Sequence, residues 1–247
     1  MNAIQMDISG QFGFFHWNKT KGDLRVTNLF ISRTEVLGIL GAVLGLDGYA
    51  QERFKQKHGK DSVLFSHQLQ GLHVSIVPRE ENKPQFFDDQ LIHRSMEHIN
   101  KKGALMVKMK GLVSLHYTLF ISKGQVDDQI FATLCDYLKK GWAEYIPYFG
   151  RNQFPLSFDF VKEVHLREAA SNDLVIHSLF KEHDVEDCQI DDIDLTDGAY
   201  HYVDSLRNFS LSEQTLFTQE TTLWSSFEMK PLTPVYVTEE NQHIVFL

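Results

Sequence analysis

Ser32, Arg33 and Thr34 place two hydroxyl groups and a guanidinium side by side, where the apolar spacing predicts that a helix over 33–46 begins. The first turn of a helix has backbone N–H groups without partners inside the helix. These groups and the helix dipole favour a phosphate at this end. The three residues therefore predict a phosphate-binding site, and helix capping by Ser32 with a solvent-facing Arg33 is the alternative.

Cations that could contact phosphate lie at three further places along the chain. In a loop they are equally consistent with a solvated surface, and at a turn an arginine can form a surface salt bridge instead. Two lysines two positions apart in a strand share one face of it. These candidates are Lys19, Lys21 and Arg25 in a predicted polar loop, Lys108 and Lys110 in a strand-rich segment, and Arg151 in a predicted turn.

Two neighbouring rings, His16 and Trp17, could hold an unpaired base by stacking, as aromatic side chains do in single-strand recognition. Core packing is the alternative for Trp17. The histidines do not show the spacing of a helical metal site, and Cys135 and Cys188 form no CxxC pair. We therefore expect no metal and no cofactor, and the cysteines favour a reducing compartment.

The charge of the chain limits the partners that it can bind. The formal net charge is −9 over 247 residues, whereas nucleic-acid-binding proteins usually have basic surfaces. Eight acidic residues lie between Glu182 and Asp197, and without them the net charge would be −1. A basic surface elsewhere is therefore compatible with the composition. The run itself is interpreted as a solvated loop, because it lacks the central Gly and terminal Glu of an EF-hand.

The sequence shows no apolar run long enough to cross a bilayer and no basic segment before an apolar one at its start. We therefore expect neither a signal peptide nor a membrane partner. Together with the cysteines, this pattern favours the cytoplasm as the location.

The hydrophobic patterns predict an α+β fold. A polar insertion at 79–103 separates two halves, and the order strand–helix–strand, insertion, strand–helix–strand is the split βαβ pattern of the ferredoxin-like fold, as in RNA-recognition (RRM-like) modules. Short β-like segments after residue 167 predict a smaller, irregular β-rich C-terminal part. The predicted elements are strands at 3–15, 72–77, 104–122 and after the turn at 149–155, and helices at 33–46 and 127–142.

Three segments resemble the Cas-five family of CRISPR-associated proteins, which are subunits of type I effector (Cascade) complexes, here of the type I-B kind. Residues 12–20 (FGFFHWNKT) are similar to the Phe-rich end of the family's first strand, and residues 31–46 (ISRTEVLGILGAVLGL) to its glycine-rich helix. Residues 149–155 (FGRNQFP) resemble its Gly-Arg…Phe-Pro turn. The three segments occur in the family's order over the first two-thirds of the chain.

The resemblance implies a ferredoxin-like RNA-binding domain at 1–166, with an inserted β-hairpin "thumb" at 79–112, and a smaller β-rich region at 167–247. It also implies that the protein binds the repeat-derived 5′ handle of a CRISPR RNA. The expected partners are that RNA, the repeated backbone subunit and the large subunit of Cascade, and target DNA through the complex. Many members of the family have Arg where this chain has His16, so a cation at that position is not assured at neutral pH.

Two functional hypotheses follow from the resemblance. The first is a non-catalytic RNA-binding subunit that supports guide-directed recognition of invading DNA, in antiviral defence. The second is a metal-independent endoribonuclease that processes precursor CRISPR RNA, as some members of the family do. Such chemistry needs a general base and a general acid near the cut, and no Tyr, Lys and His set aligns with that branch. We therefore expect that the protein is not an enzyme.

Overall fold

The computed structural model describes residues 1–16, 24–79, 83–93, 105–170, 173–186, 199–209 and 217–247. Three of the candidate residues, Trp17, Lys19 and Lys21, lie outside these ranges, as does most of the acidic run.

Helices and strands alternate through the first two-thirds of the chain, as the hydrophobic pattern predicts, and strands dominate the last third. The helices are α1 (Arg33–Leu44), α2 (Tyr49–Lys57), α3 (Phe65–Leu69) and α4 (Asp128–Lys139). The strands of the main sheet are β1 (Asn2–Gly13), β2 (Leu24–Val26), β3 (His73–Pro78), β4 (Gln85–His93), β5 (Leu105–Ser122) and β6 (Ser157–His165). The later strands are β7 (Arg167–Glu168), β8 (Leu174–Val175), β9 (Phe180–Lys181), β10 (His201–Phe209), β11 (Phe217–Ser225), β12 (Glu228–Met229), β13 (Tyr236–Val237) and β14 (His243–Ile244).

The centre of the main sheet has four antiparallel strands in the order β6-β1-β5-β3. Helices α1 and α4 cover one face of this sheet. Met6 and Ile8 of β1 point to that face and are fully buried against apolar residues of the helices, such as Leu40 and Leu134. The expected mixture of helices and sheets is therefore confirmed.

Strand β5 belongs to two pairings because it is 18 residues long. Its second half lies in the centre of the sheet, and its first half forms an antiparallel ladder with β4 from Gln85↔Val113 to His93↔Leu105. The short β2 pairs with the other edge of this ladder in parallel, with Arg25 opposite Met109. Arg25 was expected in a loop; it lies on a strand, because three residues paired to a distant partner give no local pattern.

Helix α1 begins at the predicted residue and ends earlier than expected. Ser32 and Glu35 form a capping box at its start. Gly45 adopts a left-handed conformation with φ of 73°, so the helix ends at Leu44 rather than at residue 46. Gly41 lies against Phe65 of α3, where a Cβ atom would be only 2.6 Å from the Cβ of Phe65. The glycine therefore allows α1 to pack closely on α3.

The last third of the chain packs on both sides of the main sheet. On the helical side, Leu206 of β10 and Trp224 of β11 join the main core, and Trp224 contacts Phe30 with ring centroids 5.8 Å apart. On the other side, Ile244 of β14 packs with Ala3 over one end of the sheet. The boundary near residue 166 stays a prediction, but the two ranges share these apolar contacts.

Two observations concern membranes and metals within the described part of the chain. No helix there is long and apolar enough to cross a membrane. No group of three His, Cys, Asp or Glu side chains in the same ranges is arranged to hold a metal ion.

Candidate nucleic-acid interface

Four cationic or titratable side chains meet where β1 ends, and we call them the basic cluster: His16, Arg25, Arg151 and Arg207. Partial burial lowers the pKa of His16, and the positive charges of Arg25, Arg151 and Arg207 lower it further. Burial and the charge of Arg25 also lower the pKa of Arg151. The three arginines therefore lie close enough to His16 for their charges to act on it, and a bound anion would relieve the crowding of positive charge there.

The end of β1 positions His16 and the strand that carries Arg25. His16 forms a bridge with Thr27, and the backbone N–H of Phe15 donates to the Thr27 hydroxyl over 2.9 Å. The N–H of Asn28 donates to the carbonyl of Phe15 over 2.6 Å. These bonds hold the two chain segments that flank residues 17–23 side by side. The predicted cations Lys19 and Lys21 belong to that connecting segment, which lies outside the described residues.

The turn that follows α4 positions Arg151. Gly150 has φ of 75°, and a Cβ atom there would overlap the carbonyl oxygen of Phe14, so only glycine fits without a shift. The N–H of Phe14 donates to the carbonyl of Phe149 over 3.1 Å. The Arg151 guanidinium then lies 4.5 Å above the centre of the Phe14 ring, in a cation–π contact.

The last member of the cluster, Arg207, was not among the predicted residues. It lies on β10 with its guanidinium 4.0 Å from the centre of the Phe217 ring of β11. Among the described residues, no ion pair joins a carboxylate to Arg151 or Arg207. Buried and more exposed residues alternate over 203–208, but the buried ones include Asp204 and Asn208, so the sequence shows no apolar alternation that would have indicated Arg207.

The start of α1, in contrast, uses its donors inside the protein. The Ser32 hydroxyl accepts from the N–H of Glu35 over 3.2 Å, and the Glu35 carboxylate accepts from the N–H of Ser32 over 2.7 Å. The N–H of Thr34 donates to the side-chain oxygen of Asn208 in β10 over 3.3 Å. Ser32 is itself buried. The geometry therefore favours the capping alternative over a phosphate site for Ser32 and Thr34.

Arg33 is also engaged with the protein rather than directed at solvent. Its guanidinium donates to the carbonyl of Gln70 over 2.5 Å and to that of Leu72 over 2.7 Å, which ties α1 to the segment before β3. Burial raises the pKa of the nearby Glu35 to about 7, against the opposing effect of its hydrogen bonds with Ser32. A carboxylate at this helix end occupies the place that a phosphate would need. The phosphate-binding site at residues 32–34 thus stays a prediction, and these contacts do not favour it.

Lys108 and Lys110 lie on one face of β5, as predicted. Both are exposed, whereas Val107 and Met109, which alternate with them, are buried. The ammonium of Lys110 lies 5.1 Å above the centre of the Phe86 ring of β4. Neither lysine is among the charges that shift the pKa of His16. The structure therefore gives them a position on the β4–β5 ladder, separate from the basic cluster.

A group of aromatic rings joins the β4–β5 ladder to the turn that carries Arg151. Phe12 of β1 has its ring centroid 5.1 Å from that of Phe87 in β4, and each of these rings lies 6.1 Å from that of Phe154. Gly111 of β5 leaves the space that the Phe87 ring occupies. One end of the β4–β5 ladder, the end of β1 and the turn are thus packed together next to the basic cluster.

A comparison with protein families decides the relationship of this chain. The family model described as "CRISPR-associated protein (Cas_Cas5)" matches residues 9–222. The chain belongs to the Cas_Cas5 family. The resemblance seen in the three sequence segments is thereby confirmed. The matched range contains all four residues of the basic cluster, including Arg207, which no local motif indicated.

Solved structures show the same fold for this Cas_Cas5 protein. A chain of a "CRISPR RNA-guided surveillance complex" aligns with a TM-score of 0.50 and 14% identity, over 93% of this chain and 91% of that one. A CRISPR protein from Archaeoglobus fulgidus aligns with a TM-score of 0.50 and 13% identity, over the full length of both chains. Comparison with curated protein sequences finds no match. At such low identity the structural likeness describes the fold alone.

Proposed function

We propose that this Cas_Cas5 protein is the RNA-binding subunit of a type I (Cascade) CRISPR effector complex, and that it caps the 5′ handle of the CRISPR RNA. The observation that carries the proposal is the basic cluster, in which three arginines and His16 converge at the end of β1. Arginine presents a planar fork of donors that matches phosphate oxygens. Membership of a CRISPR-associated family supports the same role.

The cluster would bind phosphate by charge and read little sequence. The crowding of positive charge at His16 is relieved when an anion enters, so part of the binding energy comes from the crowding itself. Because burial and, after it, the neighbouring arginines lower the pKa of His16, the arginines supply the charge at neutral pH, and His16 becomes easier to protonate once phosphate is bound. The absence of Arg at position 16 is in this way compensated by Arg207.

The architecture supports the finer assignments of the fold. We infer that β1, β3, β5 and β6 with α1 and α4 are the ferredoxin-like unit, because the strand order β6-β1-β5-β3 with two crossing helices is that of the split βαβ motif. The β4–β5 ladder would be the thumb, with Lys108 and Lys110 facing the guide backbone. The repeated backbone subunit and the large subunit are the proposed protein neighbours, and target DNA would reach the complex through guide pairing.

Replacing Arg151 tests the proposal. We expect Arg151→Ala to weaken binding of repeat-derived handle RNA by about 10-fold, with a salt dependence that is shallower by about 0.7 in log–log slope for the lost phosphate contact. The matched control is Arg53→Ala, which removes the same charge from an exposed position on α2. Equal RNA affinity for the two variants and the unmodified protein, over several salt concentrations, would show that the cluster does not hold the RNA.

Binding without catalysis is part of the same proposal. Handle RNA and its longer repeat precursor, incubated with the unmodified protein in EDTA, should stay intact while the RNA is bound. A single specific cut in the repeat would instead support the endoribonuclease hypothesis, since that reaction needs no metal ion.

A further inference from the structure

The face of the main sheet opposite the helices is polar over its central part. Along β1, Met6 and Ile8 point to the helices, while Gln5, Asp7 and Ser9 alternate with them and point to the other face. Strands of the last third cover one end of that face. Beside them lies an open groove of about 800 Å³, which is also lined by Tyr200 and Trp224 of the last third. Its polar lining includes Gln5, Asp7, Arg79, Lys162, Glu240 and Gln242.

Phe160 of β6 stands in this groove in an unusual conformation. Its backbone φ is 53°, a left-handed value that is rare and costly for a bulky side chain. Its ring is nevertheless 78% exposed to solvent. Strained backbone and an exposed aromatic ring are both unfavourable for the free protein. Such combinations persist where the presented side chain has a use.

A bulge in β6 produces the position of Phe160. Gln5 pairs with Lys162 and Asp7 pairs with Asp159, so one residue of β1 faces two residues of β6 between these pairs. A bulge of this kind turns a side chain out of the regular alternation. The ring of Phe160 is thereby directed into the groove beside the polar side chains of β1.

The charges in the groove balance one another, unlike those of the basic cluster. The Arg79 guanidinium donates to the Asp7 carboxylate over 2.7 Å, and the Thr118 hydroxyl donates to the same carboxylate over 2.7 Å. Lys162 lies 3.4 Å from the carboxylate of Glu239. A ligand held mainly by phosphate would therefore gain little here. A flat group with polar edges suits the exposed ring and the nearby amide side chains of Gln5 and Gln242.

The groove continues toward the basic cluster along β1. A second open region beside Ser9 and Gln11 follows it, also lined by His116 and Ser157. From Asp7 to His16 the chain advances about 3.3 Å per residue, roughly 30 Å in all. A single strand whose phosphates are held at the cluster could therefore follow the polar face to Phe160.

We propose that Phe160 stacks on an unpaired base of a single-stranded nucleic acid that crosses the polar face of the main sheet. The proposal rests on the proposed function only for the anchoring of the strand at the basic cluster. The RNA guide and a single DNA strand present the same stacking chemistry, and the experiment distinguishes them.

The test measures binding of short single-stranded RNA and DNA that carry the fluorescent base 2-aminopurine at successive positions, with the full-length protein. With the unmodified protein, stacking should quench the fluorescence at one position or a few adjacent ones. Phe160→Ala and Phe160→Gly should abolish that quenching and weaken binding about 10-fold, since one base–aromatic stack is worth that much. Phe160→Tyr should retain both. Quenching with RNA, with DNA or with both supports the proposal and names the strand.

The glycine variant also guards against misfolding as an explanation. Glycine adopts φ of 53° without strain, so Phe160→Gly should raise the melting temperature while it weakens binding. Phe54→Ala is the matched control, because Phe54 of α2 is a phenylalanine that is 61% exposed elsewhere. It should change neither quenching nor affinity.

Two outcomes would overturn the proposal. One is unchanged affinity and quenching in Phe160→Ala and Phe160→Gly, which would mean that the ring contacts a neighbouring protein rather than a base. The other is equal loss in Phe54→Ala. The proposal can fail separately from the function at the basic cluster, because the effect of Phe160 should be the same at all salt concentrations, whereas that of Arg151 should change with salt.

Discussion

The start of α1 and the basic cluster both contain arginine, but the arginines have different surroundings. At the start of α1 the Arg33 guanidinium donates to two backbone carbonyls, and Glu35 and Asn208 accept from the helix N–H groups. At the basic cluster Arg151 and Arg207 lie on aromatic rings. A cation on a ring keeps its charge available, whereas the helix end already has its acceptors.

The partners of the helix end come from far along the chain. Asn208 and Asp204 of β10 accept hydrogen bonds from residues 174 or 175 positions earlier, namely Thr34, Leu29 and Phe30. The residues around the helix start do not reveal these distant acceptors, so its sequence alone predicts an open phosphate-binding site. Whether a predicted donor is available to a ligand therefore depends on which residues from distant parts of the chain bind it in the folded protein.

Gly150→Ala should have the largest effect on stability and RNA affinity, because it disrupts the turn that positions Arg151. The left-handed φ costs about 1 kcal/mol, and the overlap with the Phe14 carbonyl adds about 2 kcal/mol or more, so we expect a loss of about 3 kcal/mol in the free energy of unfolding. Handle RNA affinity should fall as Arg151 moves. Urea denaturation and RNA titration measure the two.

Gly141→Ala is the control for that change. Gly141 has a similar φ of 63°, but no atom lies within 4 Å of the added Cβ. It should cost only about 1 kcal/mol and leave RNA affinity unchanged. Equal losses in the two variants would mean that conformational strain alone, and not the approach to Phe14, fixes the turn.

Glu35→Gln should change the pH dependence of stability. Burial raises the pKa of Glu35 from 4.5 to about 7, so the folded protein holds this proton more tightly than the unfolded chain. The contribution of protonated Glu35 to the free energy of unfolding is therefore complete below about pH 4.5. It is lost as the pH rises through about 7, by up to about 3 kcal/mol. Glutamine preserves the capping box but carries no charge.

The difference between the two proteins isolates this group. Urea denaturation at about pH 4.5 and at about pH 8 should show a smaller loss of stability in Glu35→Gln than in the unmodified protein. Parallel pH profiles would place the Glu35 carboxylate in water instead. RNA affinity should not respond to this substitution.

Arg33→Ala tests the comparison itself. Loss of the two hydrogen bonds from a charged donor should reduce the free energy of unfolding by about 2 kcal/mol. Handle RNA affinity, measured well below the melting temperature, should stay within about twofold of the unmodified value. A loss of affinity as large as that of Arg151→Ala would restore the start of α1 as a phosphate site and remove the distinction drawn above.

Local pattern was sufficient where apolar periodicity extends over several turns or residues. The sequence predicted β1, α1 and α4 to within a few residues, because each buries a regular stripe or alternation. The turn at 149–155 was predicted from its own residues, since Gly150 is required by a backbone contact. The alternation also put Lys108 and Lys110 correctly on one face.

Strands that form through pairing with distant segments were not predicted from local pattern. Strand β2 has three residues and exists because β5 accepts it, and β10 and β11 are nine-residue strands where only short segments were expected. Arg207 reaches the basic cluster through that unexpected hairpin. The bulge that exposes Phe160 likewise depends on the register of β6 against β1, which no single-strand pattern contains.

The pairing of β1 has a consequence for how the chain is made. Residue 4 pairs with residue 121 on one side and with residue 163 on the other, and the amino terminus donates to the carbonyl of Leu166. On the ribosome, the first strand and the apolar face of α1 therefore emerge long before any strand that can shelter them. Because these contacts are distant in sequence, we expect slow folding and a dependence on chaperones. We also expect that assembly with partners soon after release protects the chain from aggregation.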